Sequence, residues 1–385
     1  MARSFDFVVG GGSIAGLTFA AEAAGRGASV LVVEEHEEIG EPEKCDGLVS
    51  LRGLRRFGYL PRPEVIQNQI MAAVVHSPGG KRFAVSASAL EVVVLDRSAY
   101  DKQVARQAES AGATVRTGAR VDGALQSQEA VTVRVGDESM ECRYYVDATG
   151  PSSALREGIL PAAKYELEGD WVSQRLVDVY LDADLYPGFF AWVIPSGGHR
   201  AKVGAAGRGV NPFKALDAVI AGKQTTILKR VSAPIYVGGP KGRFVDHRVI
   251  FVGESAGQVK PTTAGGIMTS VAGAVSAARW ACEGVRRDDP SLLANYQREW
   301  DAVFSKEMST MARVRGVFEK LSNRDMESVI EMLATPRVVA RVSQSDFDFH
   351  ASALLGALGL SGVLRMARVV GSAEVRSLIQ RDPSP

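Results

Sequence analysis

An α/β fold is the class this sequence predicts: a discontinuous, Rossmann-like nucleotide-binding domain, an inserted antiparallel-sheet domain and a C-terminal helical region. Three separated segments carry the expectation. Phe5 to Val9, apolar except for Asp6, enters Gly10-Gly11-Gly12-Ser13-Ile14-Ala15-Gly16. Asp147-Ala148-Thr149-Gly150 follows a second such run, and Gly253-Glu254-Ser255-Ala256-Gly257 follows a third, with Pro261 and Gly265-Gly266 beyond it. A single glycine loop is weak evidence, but an ordered set at the start, middle and end is hard to obtain by accident.

A buried parallel strand that turns tightly into a helix aims the first N–H groups of that helix, and the positive end of its dipole, at a pyrophosphate. Counted from Asp6, the fingerprint falls on Gly11, Ser13 and Gly16. Gly11 makes the turn, Ser13 is small enough to let phosphate approach, and Gly16 lets the helix pack on the strand. The helix reads Leu17 to Ala24 and ends at Gly25; a strand from Ala28 to Val33 follows, closed by Glu34. About 20 residues separate the first glycine from this acid, the spacing at which a carboxylate accepts from a ribose hydroxyl. The loop alone leaves FAD and NAD open. In the third segment, Glu254 can accept from a ribityl hydroxyl. Gly265, Gly266 and the helix after them can hold the flavin's edge and pyrophosphate through backbone N–H groups. The ordered set reads as a flavoprotein.

The 385 residues, 46% of them hydrophobic, suffice for two packed domains. A net charge of +1 gives no electrostatic case for a nucleic-acid partner. Cys45, Cys142 and Cys282 are widely spaced and odd in number. They argue against a disulfide framework or a zinc or iron–sulfur site, and suit a reducing cytosol. His36, His76, His199, His247 and His350 are scattered, so neither a metal site nor a catalytic triad is expected. The N-terminus enters the first strand almost at once, leaving no room for a signal peptide, and no apolar run reaches ~18 residues. A cytoplasmic monomer is expected, with any membrane contact confined to the periphery of the inner face.

The remaining elements follow in order. Glu35 to Gly58 is charged and punctuated by Gly and Pro, too irregular for one long element. Residues 72–76 and 81–85 are strands joined by Ser77-Pro78-Gly79-Gly80, and Glu91 to Leu95 is another. Ser98 to Ala111 is a helix, with Ser98 as its cap, Tyr100, Val104 and Ala108 on one face, and Gly112 as its stop. Residues 114–116 and 118–121 return toward the nucleotide, and 131–135 and 142–146 flank Gly136-Asp137 as a hairpin. Residues 165–180, 189–194 and 202–206 carry aromatics and alternate, which suggests an antiparallel sheet for the substrate. Arg248 to Val252 is a buried strand leading back to the nucleotide domain. Beyond about Asp289 the chain turns helical and amphipathic through Tyr296, Trp300, Phe304, Met308 and Met311. Domains are expected at 1–60, 95–155 and 245–288 (nucleotide), 61–94 and 156–244 (substrate), and 289–385 (helical).

These motifs, with Asp96-Arg97, are similar to those of the flavoprotein hydroxylase and reductase superfamily. Pro42-Glu43-Lys44-Cys45-Asp46-Gly47 resembles a Pro-x-x-Cys-x-Gly loop. Phe190-Ala191-Trp192-Val193-Ile194-Pro195, eight residues and then Gly204-Ala205-Ala206 resembles an aromatic-x-Trp-x-x-Pro-x8-Gly-x-Gly motif. Together they resemble the geranylgeranyl reductase family, best known in archaeal lipid and chlorophyll biosynthesis, over roughly residues 5–285. Phe190 stands where tyrosine is usual, Ala206 where the last glycine is, and Glu254 where aspartate is.

The resemblance implies FAD, with Ala15, Glu34, Arg97, Val121, Glu254, Gly266 and Ile267 on cofactor positions and Lys44, Cys45, Asp46 and Gly47 on flavin-contacting ones. Arg97 has a physical reason of its own, since a guanidinium at a strand end can pair with phosphate. The implied activity is saturation of C=C bonds in geranylgeranyl chains, those of archaeal-type membrane lipid precursors above all. Such a step needs a hydride on one carbon, from flavin N5, and a proton on the other. Cys45, which the resemblance puts near the isoalloxazine, is the expected catalytic residue; a buried packing cysteine is the alternative. Phe190, Trp192, Pro195 and Gly204 mark the expected substrate site, with Phe189, Phe190 and Trp192 lining a prenyl tunnel or simply filling a sheet core. Ala351 to Leu364 is apolar enough to touch a membrane, cover that tunnel or pack inside. No second glycine fingerprint marks a nicotinamide domain, so the electron donor stays open between NAD(P)H and a ferredoxin-like protein. Two other readings stand. One is a flavin-dependent halogenase or aromatic hydroxylase, whose Trp-x-Trp-x-Ile-Pro segment residues 190–195 match except at the first tryptophan. The other is a non-catalytic carrier of prenyl lipid. Cys45 in its loop and the spacing to Gly204 speak against the first, and the intact 42–47 loop against the second.

Overall fold

Four consecutive apolar residues, Val30–Val33, form β2 and are all buried, as a strand covered on both faces requires. In the computed structural model, which describes residues 4–87, 91–151 and 157–371, this strand lies inside a mostly parallel sheet. The outer ends of the expected domains, within 1–3, 152–156 and 372–385, lie outside the described residues, as do 88–90. Its neighbours are β1 (Ser4–Gly10), β8 (Thr114–Arg116), β11 (Glu138–Asp147) and β20 (Val249–Phe251), in the order β20-β11-β1-β2-β8, all parallel. The antiparallel β19 (Val245–Asp246) edges β20, and β9 (Val121–Gln126) and β10 (Val131–Val135) extend from β11. The register sets Gly10 beside both Val33 and Asp147, and Asp147 beside Phe251. Three distant glycine turns therefore leave the sheet at one level of one edge.

Helices α1 (Ile14–Ala24), α3 (Arg97–Ser110) and α5 (Ile267–Arg287) contribute to the largest apolar core, where Phe7, Leu17, Phe19, Tyr100, Val104 and Val271 are fully buried. α6 (Ala294–Phe318) adds Tyr296, Trp300, Phe304, Met308 and Met311, all buried along one stripe. Helices α7 (Asn323–Leu333), α8 (Pro336–Ser343) and α9 (His350–Val370), the last broken at Gly359, complete the C-terminal region.

A second sheet runs β17 (Thr226–Ser232), β13 (Ala162–Glu168), β16 (Arg200–Ala206), β15 (Ala191–Gly197), β14 (Leu176–Tyr180), β5 (Ala72–His76) and β6 (Arg82–Ser86). It is antiparallel as expected except at β14–β5, which is parallel: the sheet joins two separated chain segments there, and no hairpin dictates direction. α4 (Pro212–Ile220), capped by Asn211, covers one face. A three-stranded sheet, β3 (Leu48–Ser50), β7 (Val92–Leu95) and β4 (Ile66–Gln69), and the pair β12 (Ile159–Leu160) and β18 (Ile235–Tyr236) complete the strands among the described residues.

One segment gains detail and two local expectations change. The irregular stretch 35–58 contains β3 and α2 (Leu51–Arg55), whose cap is Ser50. The run 165–180 is two strands interrupted at 169–175. The cap of α3 is Asp96, accepting from Ala99 N at 2.8 Å, so Arg97 opens the helix rather than ending the strand; an aspartate at this position outcompetes the serine two residues on, whose hydroxyl is buried without a partner.

Candidate active site

Gly11 has φ +103, and a Cβ there would stand 2.4 Å from the Ala148 carbonyl oxygen, so only glycine makes this turn. Beyond it Ser13 caps α1 by backbone geometry alone, with its side chain free of any capping bond. Glu34 closes β2 with its Oε2 accepting from Gly12 N at 2.6 Å and its Oε1 2.5 Å from His36 Nδ1. The other two motifs are joined by Ser255, whose hydroxyl lies 2.9 Å from Asp147 Oδ1 and accepts from Gly150 N at 3.1 Å. Gly253 sits against Ala15, and the N-terminus of α5, starting at Ile267 after an uncapped Gly266, packs beside α1. Gly265 O accepts from Lys260 N, closing the loop that leads into α5.

The 42–47 loop and Arg97 reach this edge from the other side. Gly47 and Leu95 are hydrogen-bonded, which ties the loop to the strand end just before Arg97. Arg97 is buried; its Nη2 donates to Asp101 at 2.8 Å, which keeps it charged, while its Nε has no partner. Glu254 faces both Arg97 and Lys44. Burial by neighbouring protein raises its pKa although the side chain keeps solvent exposure, and the two cations oppose that rise. Cys45 is exposed.

Beneath the loop lies a charge cluster from the second sheet. Lys164 on β13 and Lys202 on β16 are 1% and 3% exposed. Lys202 Nζ donates to Glu43 Oε1 at 2.5 Å and to Leu95 O at 3.1 Å; Lys164 Nζ donates to the Cys45 carbonyl at 3.3 Å and lies 3.6 Å from Asp46 Oδ1. Burial alone would raise the Glu43 carboxyl, but Lys202 and Lys164 outweigh it and hold it below its ordinary value. Trp192 Nε1 donates to Asp46 Oδ2 at 2.6 Å. Trp192, Gly204 and Lys164 are cross-strand neighbours on β15, β16 and β13, so one sheet face presents the indole and the ammonium to the cysteine loop together. Phe189 and Phe190 stack with centroids 4.1 Å apart, and Phe190 meets Trp192 edge-on.

Not every expected residue converges. Strand alternation puts Pro195 on the Val193 face, opposite Trp192, with its carbonyl accepting from Asn68 Nδ2. Val121 opens β9 and packs with Val33, Ala119 and Val135, a cluster that holds no glycine-loop residue. A cavity of about 520 Å³ lined by Arg243, His247 and Arg298 lies elsewhere and shares no residue with the motifs.

The FAD binding domain family matches residues 6–212. The digeranylgeranylglycerophospholipid reductase 2 of Methanopyrus kandleri is 30% identical over 86% of this chain and 90% of its own length. The chain belongs to that reductase family. Its fold is that of a geranylgeranyl bacteriochlorophyll reductase-like protein from Thermoplasma acidophilum, with a TM-score of 0.84 at 21% identity over 96% of this chain and 99% of that one. A flavin-dependent brominase shares the fold more distantly, with a TM-score of 0.69 at 15% identity over 98% of this chain and all (100%) of its own.

FAD is the cofactor, and the residues fit it. Two helix N-termini without side-chain caps, a glycine cradle that a Cβ would fill, and a buried guanidinium with an orphan N–H are what a dinucleotide pyrophosphate and a flavin edge require. Several residues escaped sequence reasoning. Ser255 lay inside a motif read for its glycines. Gln258, fully buried, accepts from Gly253 N and donates to the Tyr296 hydroxyl, which donates to Phe251 O; its only signal was a polar residue in an apolar neighbourhood. Lys164 and Lys202 carried no signal, because alternating strand lysines ordinarily face water.

Proposed function

We propose that this protein is an FAD-dependent reductase that saturates C=C bonds in the geranylgeranyl chains of archaeal-type membrane lipid precursors. The observation that carries the reading is the Asp46–Trp192 hydrogen bond, which fastens the cysteine loop to an aromatic wall. That wall suits a long hydrocarbon, and the exposed thiol beside it suits protonation of an alkene carbon. The named relative is a reductase of the same substrate class.

Bound and reduced, FAD supplies the hydride. The protein's part is to hold and to protonate. Gly11 makes the turn from which Ser13, Ala15 and Gly16 offer backbone N–H groups to the pyrophosphate, Glu34 accepts from the ribose, and Arg97, Glu254, Gly265, Gly266 and Ile267 hold the flavin end together with Lys44 to Gly47. Phe190, Trp192 and Gly204 shape the substrate side and exclude water from the alkene. Cys45 gives its proton to the carbon that does not receive the hydride. Electrons come from NAD(P)H or a ferredoxin-like protein. No helix among the described residues is long and apolar enough to cross a membrane; a monomer in the cytoplasm, meeting the inner face of the membrane at its periphery, fits a lipid substrate.

The test is to reduce the purified FAD-loaded enzyme anaerobically with a chemical donor, add a geranylgeranylated glycerophospholipid and follow substrate mass. Gains in steps of two hydrogens with reoxidation of the flavin are expected. An unchanged substrate, with halogenation or hydroxylation of an aromatic once oxygen and halide are admitted, would transfer the enzyme to the halogenase and hydroxylase branch.

A further inference from the structure

Gln258 is fully buried between two turns, the one that carries Glu254 and the one that opens α5, and it is bonded to both. Its Oε1 accepts from Gly253 N at 2.8 Å and its backbone N donates to Gly253 O at 2.9 Å, so one residue grips both poles of the glycine before Glu254. Gly253 has φ +66, and a Cβ there would stand 2.6 Å from the Ala15 Cβ. The same turn is therefore pressed against the first glycine loop. On its other side, the Gln258 carbonyl accepts from Thr269 Oγ1 at 2.5 Å, and that hydroxyl lies 3.2 Å from Gly266 O. The remaining end of the amide is also committed: Nε2 donates to the Tyr296 hydroxyl at 2.8 Å, which donates to Phe251 O at 2.9 Å. Gly273 clears the space for it, since a Cβ there would stand 2.2 Å from Oε1. An apolar side chain could fill this core volume, but it would leave the buried Gly253 N–H without its acceptor.

We propose that Gln258 is a positioning residue for the cofactor: its side chain fixes the Gly253–Glu254 turn and, through Thr269, the distance from that turn to Gly266 and the N-terminus of α5. The inference rests on the assignment of Glu254, Gly266 and Ile267 to the flavin end. Glu254 follows Gly253 directly, so the backbone that Gln258 holds decides where its carboxyl stands. Gly266 and Ile267 present N–H groups whose direction is set by the start of the helix. A cofactor gripped from both turns binds more tightly when their separation is fixed beforehand, because no ordering is left to be done on binding. Gln258 itself lies buried behind the two turns and acts through them.

The experiment dilutes the FAD-loaded full chain and reads released flavin by fluorescence, which gives the FAD dissociation constant. Visible circular dichroism of the bound flavin is recorded at saturating FAD, and urea unfolding gives the stability. Gln258→Met keeps the length of the side chain and removes its hydrogen bonds. It raises the dissociation constant about ten-fold, the order expected for one lost buried hydrogen bond, and alters the flavin dichroism. Thr269→Val leaves the Gln258 amide in place but cuts the link to Gly266, and shifts both readings the same way. Met311→Ala opens a cavity in the same core, from a side chain that bonds to neither turn; it lowers stability and leaves both flavin readings as in the parent. Parent-like FAD binding and dichroism in Gln258→Met overturn the inference. Equal weakening of FAD binding in Met311→Ala overturns it too, since affinity would then merely follow stability. Should Gln258→Met fail to fold, Thr269→Val decides, and parent-like flavin readings there are the overturning result. Glu254→Ala separates the inference from its premise. FAD lost from Glu254→Ala but not from Gln258→Met leaves the premise standing without the inference. The reverse removes Glu254 from the site and leaves Gln258 acting through the N-terminus of α5.

Discussion

Gly204 lies under the indole of Trp192: the two are cross-strand partners, and a Cβ at position 204 would stand 2.1 Å from the ring. The glycine thus makes the room in which the indole reaches Asp46. Gly204→Ala must either expel the ring or spread β15 from β16, at a cost of about 1–3 kcal/mol, the usual range for overpacking. A lower melting temperature and an altered tryptophan fluorescence are expected. A variant that melts and fluoresces like the parent would show that the indole is free to move.

Gly11→Ala tests the cofactor cradle. The residue's positive φ and the nearby Ala148 carbonyl leave no relaxed place for a methyl group. Strain of about 1–3 kcal/mol falls on the turn that feeds α1. The expected product is a folded protein that has lost most of its FAD, measured as flavin absorbance per chain, with unchanged far-ultraviolet circular dichroism. Full flavin content in the variant contradicts the assignment of the loop to the pyrophosphate.

Lys260 and Asp348 form an ion pair of 2.8 Å, with side chains 5% and 3% exposed, which fastens the segment before α9 to the loop before α5. Lys260→Met leaves a buried carboxylate without its partner and destabilises by about 3–5 kcal/mol. Lys260→Met/Asp348→Leu removes both charges and recovers most of the loss. Urea unfolding distinguishes the two, and equal losses in both variants would mean that packing, rather than charge, holds the segment.

Acid stability turns on His350, whose ring Nε2 lies 2.8 Å from Thr262 Oγ1. Burial, then the Lys260 charge, lowers its pKa from 6.5 to about 4. The folded state therefore favours the neutral ring, while the unfolded chain takes up a proton below 6.5. The stability this contributes is complete above that value and is lost as pH falls through about 4. His350→Gln should lose less stability than the parent between pH 7 and 4, the difference reaching at most about 3 kcal/mol. Parallel pH profiles for the two proteins would place His350 outside the titration.

Much of this site was legible in the chain because its parts are local. Gly11 and Glu34 belong to one β-α-β unit whose turn chemistry is written in neighbouring residues, and the aromatic pattern around Trp192 marks a strand. The cap at Asp96 was missed because Ser98 is an equally good candidate on composition; backbone geometry chose between them.

The sequence by itself determined the α/β class, the three glycine turns, the cysteine loop and the amphipathic face of α6, since each rests on side-chain periodicity or on a backbone turn. Only the tertiary structure decided which of these meet. Parallel register brought Gly10, Asp147 and Phe251 to one level. The pairing of β13 with β16 turned Lys164 and Lys202 inward beneath Glu43 and Asp46. Lys164 and Lys202 reach Glu43 across more than a hundred residues of chain, and no local pattern encodes a partner so distant for a charge whose burial needs one.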